Sequence, residues 1–236
     1  MPITYVYHGT AHGLNGRIMK PSHIPMVNHG GCGGSNLQPS AQPHTVTHPA
    51  FSVPGVLSHG GCTCSVHAQP EKGGIFRTEV QAEIKDLHLE GDVSFSAGRI
   101  KLGMVSVYNA KWSPGDQRAR VLPMECVFEN VMMNGMPMFP SMPAPFNYSA
   151  DQREAYLAGK DPDQRMDQQV RETIASSPSR SYYIPNFGRI YFCEWTVAPG
   201  DTWHLVHQIS MVRLAMGSPI ALDGTGGGGT TNGHGP

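Results

Sequence analysis

Alternation of hydrophobic and polar residues is the clearest pattern in the chain after residue 75. Residues 80–84 place a hydrophobic side chain at every second position, the phase changes at Asp86, and residues 87–89 continue the alternation. A period of two is typical of a strand with one face in a core, and a phase change predicts a bulge. Residues 93–104 repeat the pattern on either side of Gly98. This part of the chain therefore predicts a series of antiparallel strands.

The same alternation returns near the carboxyl end, in residues 191–197 and 203–211. Pro199-Gly200-Asp201 lies between these two segments and predicts the turn of a β-hairpin. Between the two groups of strands, the run from Met132 to Pro145 contains five methionines and several prolines. Methionine packs adaptably and proline interrupts sheets, so we expect this run to be a loop or edge that lies against other protein.

Helical signals are concentrated in residues 149–176. Ser149 followed by Gln152 is a capping-box pattern that begins a first helix, and Gly159 is a plausible end for it. Asp161-Pro162 then predicts the start of a second helix, whose hydrophobic residues recur at every fourth position from Met166. We therefore expect a helical hairpin inserted between strands.

We predict a mainly β fold of the α+β kind. Its centre is an antiparallel sandwich or barrel over residues 74–222, with the two-helix insertion at 149–176. Residues 1–73 are rich in glycine and proline and show little periodicity, which predicts a long irregular amino-terminal arm. Residues 223–236 are rich in glycine and threonine and predict a flexible tail.

Composition narrows the possible partners. Charged residues make up 15% of the chain and the formal net charge is -1, which suits a surface covered by neighbouring subunits. No run of lysine and arginine is present, so we expect no nucleic-acid partner. No leader-like start or long apolar run is present either. We therefore expect no signal peptide, no membrane span, and a cytoplasmic or particle-associated protein.

Histidine and cysteine are concentrated in residues 8–67, which contain eight of the twelve histidines and three of the five cysteines. Within this region His59-Gly60-Gly61-Cys62 repeats His29-Gly30-Gly31-Cys32. Imidazole nitrogen and thiolate sulfur are the usual ligands of structural zinc. One predicted zinc site combines His59, Cys62, Cys64 and His67. A second takes one histidine and one cysteine from each copy, namely His29, Cys32, His59 and Cys62.

Two other interpretations of these residues stay open. In the first, the cysteines are small buried hydrophobic residues and the histidines hydrogen-bond to loop carbonyls. In the second, Cys32 and Cys62 form a disulfide, which would require an oxidising location. A metal or a disulfide between the two copies would cross-link the segment between them, which is the part of the chain least able to fold by burying hydrophobic side chains.

Tyr7-His8-Gly9-Thr10 resembles the first NAD-contacting motif of ADP-ribosyltransferases of the His-Tyr-Glu type. The resemblance covers about twelve residues and implies that His8 contacts the nicotinamide ribose and that Gly9 binds the carboxamide of NAD. Phe95-Ser96-Ala97 is faintly similar to the second motif, although Ser94 stands where the family has an aromatic residue. Glu129 or Glu125 would then be the catalytic acid.

These observations together favour a non-enzymatic structural or assembly protein, such as a component of a particle or appendage. Its partners would be other protein subunits, in a homo-oligomer or a larger assembly, and its arm would be cross-linked by zinc or by a disulfide. The alternative is an NAD-dependent transferase that uses His8, Gly9 and Glu129.

Overall fold

The protein is described by a computed structural model that covers residues 5–18, 24–25, 31–90, 93–111, 119–160, 164–185, 188–199, 205–216 and 222–234. The strands, in chain order, are β1 (Val6–Ile18), β2 (Ile24–Pro25), β3 (Gly31–Leu37), β4 (His44–His48), β5 (Phe51–Val53), β6 (Leu57–His59), β7 (Gly61–Glu71), β8 (Ile75–Leu89), β9 (Phe95–Asn109), β10 (Arg120–Glu129), β11 (Met132–Met133), β12 (Met136–Pro137), β13 (Ser181–Ile184), β14 (Gly188–Pro199), β15 (Leu205–Met216) and β16 (Leu222–His234). The helices are α1 (Ala150–Leu157) and α2 (Arg165–Ala175), with 3₁₀ turns at Ala144–Asn147 and Ser177–Ser179.

Sheet A brings the first and last strands of the described chain together. Its strands follow the order β13, β14, β15, β16, β1 and β2, and β3 also pairs with β1. The long pairing of β1 with β16 runs from Val6 opposite His234 to Ile18 opposite Leu222. The sequence predicted a flexible tail for residues 223–236, whereas residues 222–234 form a strand inside this sheet.

Sheet B is built around β8 and β9, which pair along almost their whole length. β6, β5 and β7 with β4 continue the sheet on the β8 side, and β10, β11 and β12 continue it on the β9 side. The pairings in both sheets are antiparallel. The sequence left a sandwich or a barrel open, and the two sheets confirm the sandwich: β1 lies against β7 and β8, and β16 lies against β8 and β9.

The core between the sheets follows the alternation in the sequence. Val80, Ala82 and Ile84 of β8 are each at most 1% exposed, and so are Ile100 and Leu102 of β9. Burial of such side chains contributes roughly 1.5–3 kcal/mol each for the larger ones. The predicted inward face of these strands is therefore confirmed.

Glycines allow β1 and β16 to approach sheet B closely. A Cβ atom at Gly229 would lie 2.7 Å from Cγ1 of Val80. Gly13 of β1 is under the same constraint, because a Cβ atom there would overlap Cys62 on β7. At these two positions any larger residue would force the sheets apart.

The same glycines explain why the amino-terminal region lacks a visible strand pattern. The sequence predicted an irregular arm for residues 1–73, whereas its described part contains β1 to β7. Glycine contributes no side chain to an alternating pattern, so a strand that packs through its backbone carries little hydrophobic signal. These strands are held in place by backbone pairing with neighbouring strands, which the composition of the segment does not reveal.

A line of irregular positions crosses sheet B, and we call it the crease. It consists of Gly60 between β6 and β7, Asp86 in β8, Gly98 in β9, and Asn130 after β10. Asp86 and Asn130 have left-handed backbone angles, with φ of 49° and 51°. The register between β8 and β9 is the same on both sides of the crease. Each strand therefore changes its phase at the same line, which confirms the phase change predicted at Asp86 and keeps hydrophobic residues facing the core. The predicted bulge is wrong, because the register shows no extra residue in β8 relative to β9.

The helical insertion lies within the predicted range 149–176. α2 begins at Arg165 after an N-cap at Gln164, and the predicted helix start at Asp161-Pro162 lies outside the described residues. α1 begins with the predicted capping box: the Gln152 amide donates to Ser149 Oγ at 3.2 Å, and the Ser149 amide donates to Gln152 Oε1 at 2.9 Å. α1 packs against β10, and α2 packs against β14. Among the described residues, no helix is long and apolar enough to cross a membrane.

Candidate functional site

The second His-Gly-Gly-Cys copy lies at the crease of sheet B. His59 is 3% exposed, and its Nδ1 accepts a hydrogen bond from the Gly61 amide at 3.1 Å. A Cβ atom at Gly60 would lie 2.7 Å from Oδ2 of Asp86. Gly61 has a φ of 130°, which L side chains rarely adopt. The motif therefore has a backbone role here, because it lets the chain pass from β6 to β7 beside Asp86.

Cys62 and Cys64 lie side by side on the core face of β7. Both side chains are buried, at 3% and 0% exposed. Burial raises the pKa of the Cys62 thiol to about 12, and the neighbouring Cys64 adds to the rise. Since zinc binds the thiolate, a thiol held in its protonated form is a weak ligand.

The predicted ligand His67 lies on the other face of β7. Its Nε2 is 2.9 Å from the carbonyl oxygen of Ser40. Successive side chains of a strand point to opposite faces, so the five-residue separation from Cys62 places the imidazole outside the sandwich and the thiol inside. The structure thus does not bring His67 to the cysteines. Among the described residues, no group of three or more histidine, cysteine, aspartate or glutamate side chains could hold a metal ion.

The first His-Gly-Gly-Cys copy is described only in part. Gly31 and Cys32 begin β3, where Cys32 is opposite Ala11 of β1. His29 and Gly30 lie outside the described residues. β3 and β7 contact each other, so the two cysteine-bearing strands are neighbours across the sandwich.

The two catalytic candidates of the transferase interpretation, His8 and Glu129, lie in different sheets. Gly9 of β1 faces sheet B, since a Cβ atom there would lie 3.0 Å from Cγ1 of Val66. His8, the next residue, therefore points to the outside of sheet A. Glu129 belongs to β10 of sheet B and accepts a hydrogen bond from Arg99 Nη1 at 3.1 Å. His8 and Glu129 thus lie on opposite outer faces of the sandwich.

Four exposed hydrophobic side chains lie on one loop and one strand, and we call them together the aromatic edge. It consists of Met136 and Phe139 in and after the β11–β12 hairpin, and Tyr182 and Tyr183 on β13. They are 68%, 90%, 47% and 66% exposed. Ser141, two residues after Phe139, lines the same cavity as Tyr182, so this end of the loop lies beside β13. β13 is also the end of sheet A in the described chain.

The sequence indicated only half of this surface. The methionine- and proline-rich run predicted a loop lying against other protein, and that run supplies Met136 and Phe139. β13 joins it only in the folded chain, because about 40 residues that include the helical insertion separate the two segments. The adjacent Tyr182 and Tyr183 were the one available signal, since two neighbouring aromatic residues on a strand cannot both face the core.

Two histidines that were not predicted site residues lie in sheet A: His12 is buried and His207 is partly buried. Burial lowers the pKa of His12 and of His207 to about 4 each. The Nε1–H of Trp195 donates to Nδ1 of His207 at 3.2 Å, which leaves the neutral ring with its proton on Nε2. These rings are neutral at pH 7 and act as packing groups.

No known protein family, curated protein or solved structure matches this chain.

Proposed function

We propose that this chain is a non-enzymatic structural protein that assembles with copies of itself through the aromatic edge, as a subunit of a particle or appendage. The supporting observation is the exposure of Phe139 and Tyr183, which are 90% and 66% exposed, together with that of Met136 and Tyr182, which are 68% and 47% exposed. Large apolar side chains grouped on a surface are typical of protein interfaces. Tyrosine, phenylalanine and methionine are also enriched at interface centres.

A second copy of the chain is the partner that this surface favours. β13 pairs only with β14 among the described strands, so its outer backbone groups are available to another strand. Two identical edge strands can pair in antiparallel fashion about a two-fold axis, the commonest symmetry of homo-oligomers. The net charge of -1 adds little repulsion between copies.

Sedimentation velocity over a range of protein concentrations tests the proposal. We expect the average mass to rise from 25.6 kDa toward that of a dimer or larger species at about 100 µM, the range of weak self-association. The variant Phe139→Ser/Tyr183→Ser should weaken association by about ten-fold or more.

Leu205→Ser is the matched control. Leu205 is also exposed, at 38%, but it lies opposite Pro199, at the end of β14 remote from β13. This variant should associate like the wild type. A wild-type chain that stays monomeric throughout the concentration range, or a double variant that associates unchanged, would contradict the proposal.

Cross-linking of the amino-terminal region, by zinc or by a Cys32–Cys62 disulfide, stays a separate prediction. The contact between β3 and β7 supports it, and the raised pKa of Cys62 disfavours a zinc thiolate. Alkylation in denaturant without reductant, followed by peptide mapping, should find Cys32 and Cys62 joined. If both thiols are fully alkylated and metal analysis finds less than about a tenth of an equivalent of zinc, neither cross-link exists.

A further inference from the structure

Arg180 is a partly buried cation whose partners are all neutral. It follows the 3₁₀ turn Ser177–Ser179, and its Nη1 donates to Ser176 Oγ at 2.6 Å. Its Nη2 donates to the carbonyl oxygens of Thr173 and Cys193 at 3.0 and 3.1 Å. Among the described residues, no carboxylate lies within 4.0 Å of its guanidinium group. Arginine removed from water is normally paired with an acid, so this charge is unusual.

A cavity of about 270 Å³ opens beside this guanidinium group. Serine hydroxyls, one phenol and one aromatic ring form the rest of its lining, which consists of Ser141, Ser179, Ser181, Tyr182 and Phe192. The ring of Tyr182 stands edge-on to Phe192 at 5.8 Å between centroids and forms the apolar wall. The lining thus combines one cation with four hydroxyl groups and contains no carboxylate.

The surroundings make the cavity more positive. Arg189 Nη1 donates to Ser181 Oγ at 3.0 Å, so a second guanidinium group lies behind one of the lining hydroxyls. Glu172 lines an adjoining cavity of about 390 Å³, which shares Ser141 and Arg180 with the smaller one. Its carboxylate accepts a hydrogen bond from Gln168 Nε2 at 2.8 Å. Glu172 is not among the residues that line the smaller cavity, whose lining contains Arg180 and no carboxylate.

We propose that the cavity lined by Arg180, Ser141 and Tyr182 binds an oxyanion, the phosphate, sulfate or carboxylate group of a small ligand. Guanidinium and hydroxyl groups are the donors that recognise such anions, and hydrogen bonds to a charged group are roughly twice as strong as neutral ones. The volume accommodates an oxyanion together with a few further atoms. The site shares Tyr182 with the aromatic edge, but its charged group, Arg180, and the Ser141 hydroxyl are not part of that surface, so anion binding does not require self-association.

Thermal unfolding with inorganic phosphate tests the site. At a phosphate concentration about 20 times the dissociation constant, ligand linkage predicts a rise in Tm of about 4 °C over sodium chloride at equal ionic strength. Sodium sulfate and sodium acetate are run in parallel, because their relative effects distinguish a tetrahedral oxyanion from a carboxylate. If none of the three anions stabilises the protein more than chloride, the proposal is overturned.

Two variants separate binding from folding. Arg180→Gln removes the positive charge and should abolish the rise in Tm that phosphate causes. The variant also loses the hydrogen bonds that join α2 to β14, so its Tm without phosphate is not compared with that of the wild type. Ser141→Asp leaves those bonds in place and puts a carboxylate into the cavity, so it should abolish the shift while the Tm without phosphate changes little. Arg171→Gln, which removes an exposed arginine of α2, should retain the full shift. If phosphate still raises the Tm of both cavity variants as it does that of the wild type, the proposal is wrong.

Discussion

At single residues, the backbone conformation decides which face of sheet B the following side chains point to. Asp86 adopts a φ of 49° at the crease, opposite Gly98 of the next strand. Aspartate and asparagine tolerate the left-handed region because their short polar side chains bond locally, whereas a β-branched side chain there is strongly disfavoured. The sequence disclosed this position only through the phase change, since the identity of the residue alone does not distinguish a bulge from a turn.

Asp86→Val should therefore destabilise the protein, by roughly 1–2 kcal/mol in the free energy of unfolding, because valine must adopt a strained φ. Urea denaturation measures the change. Asp86→Asn is the control and should stay within about 0.5 kcal/mol of the wild type, because asparagine accepts the same backbone angles. Equal losses in the two variants would mean that the carboxylate, rather than the backbone angle, stabilises the crease.

At the scale of elements, predictions succeeded where large side chains made the pattern. β8, β9, α1 and α2 were all predicted, because inward hydrophobic residues and a capping box are local signals. β1 and β16 were missed, since their core-facing positions include Gly13 and Gly229, which have no side chain to reveal a period of two. The second His-Gly-Gly-Cys motif also acquired a different meaning once β6 and β7 were seen to meet at the crease.

At the scale of the whole molecule, burial of neutral histidines couples folding to pH. His12 and His207 each have a pKa of about 4 in the folded state, against an ordinary value of 6.5. In the unfolded state both rings take up a proton below pH 6.5, so the unfolded chain binds more protons between pH 6.5 and 4. The free energy of unfolding must therefore fall as the pH is lowered through this window.

Between pH 7 and pH 5 we expect a loss of up to about 2 kcal/mol for each histidine. Urea denaturation at both pH values measures the loss. The variant His12→Gln/His207→Gln should be less sensitive to this change of pH, and His44→Gln, at an exposed position, should behave like the wild type. If the free energy of unfolding of the double variant falls with pH as steeply as that of the wild type, other groups cause the pH dependence.

The sequence by itself determined the fold class, the inward faces of the long strands and the helical insertion, because these follow from local periodicity and capping. Only the tertiary structure decided that the two ends of the chain pair in one sheet, and that Cys62 and Cys64 face the core while His67 faces outward. It likewise brought Ser141 beside Tyr182 of β13 and placed Arg180 at a cavity of about 270 Å³ whose lining contains no acid. Each of these depends on which strands become neighbours. That choice is made by packing and backbone pairing between distant segments, which leave no periodic signal in the sequence.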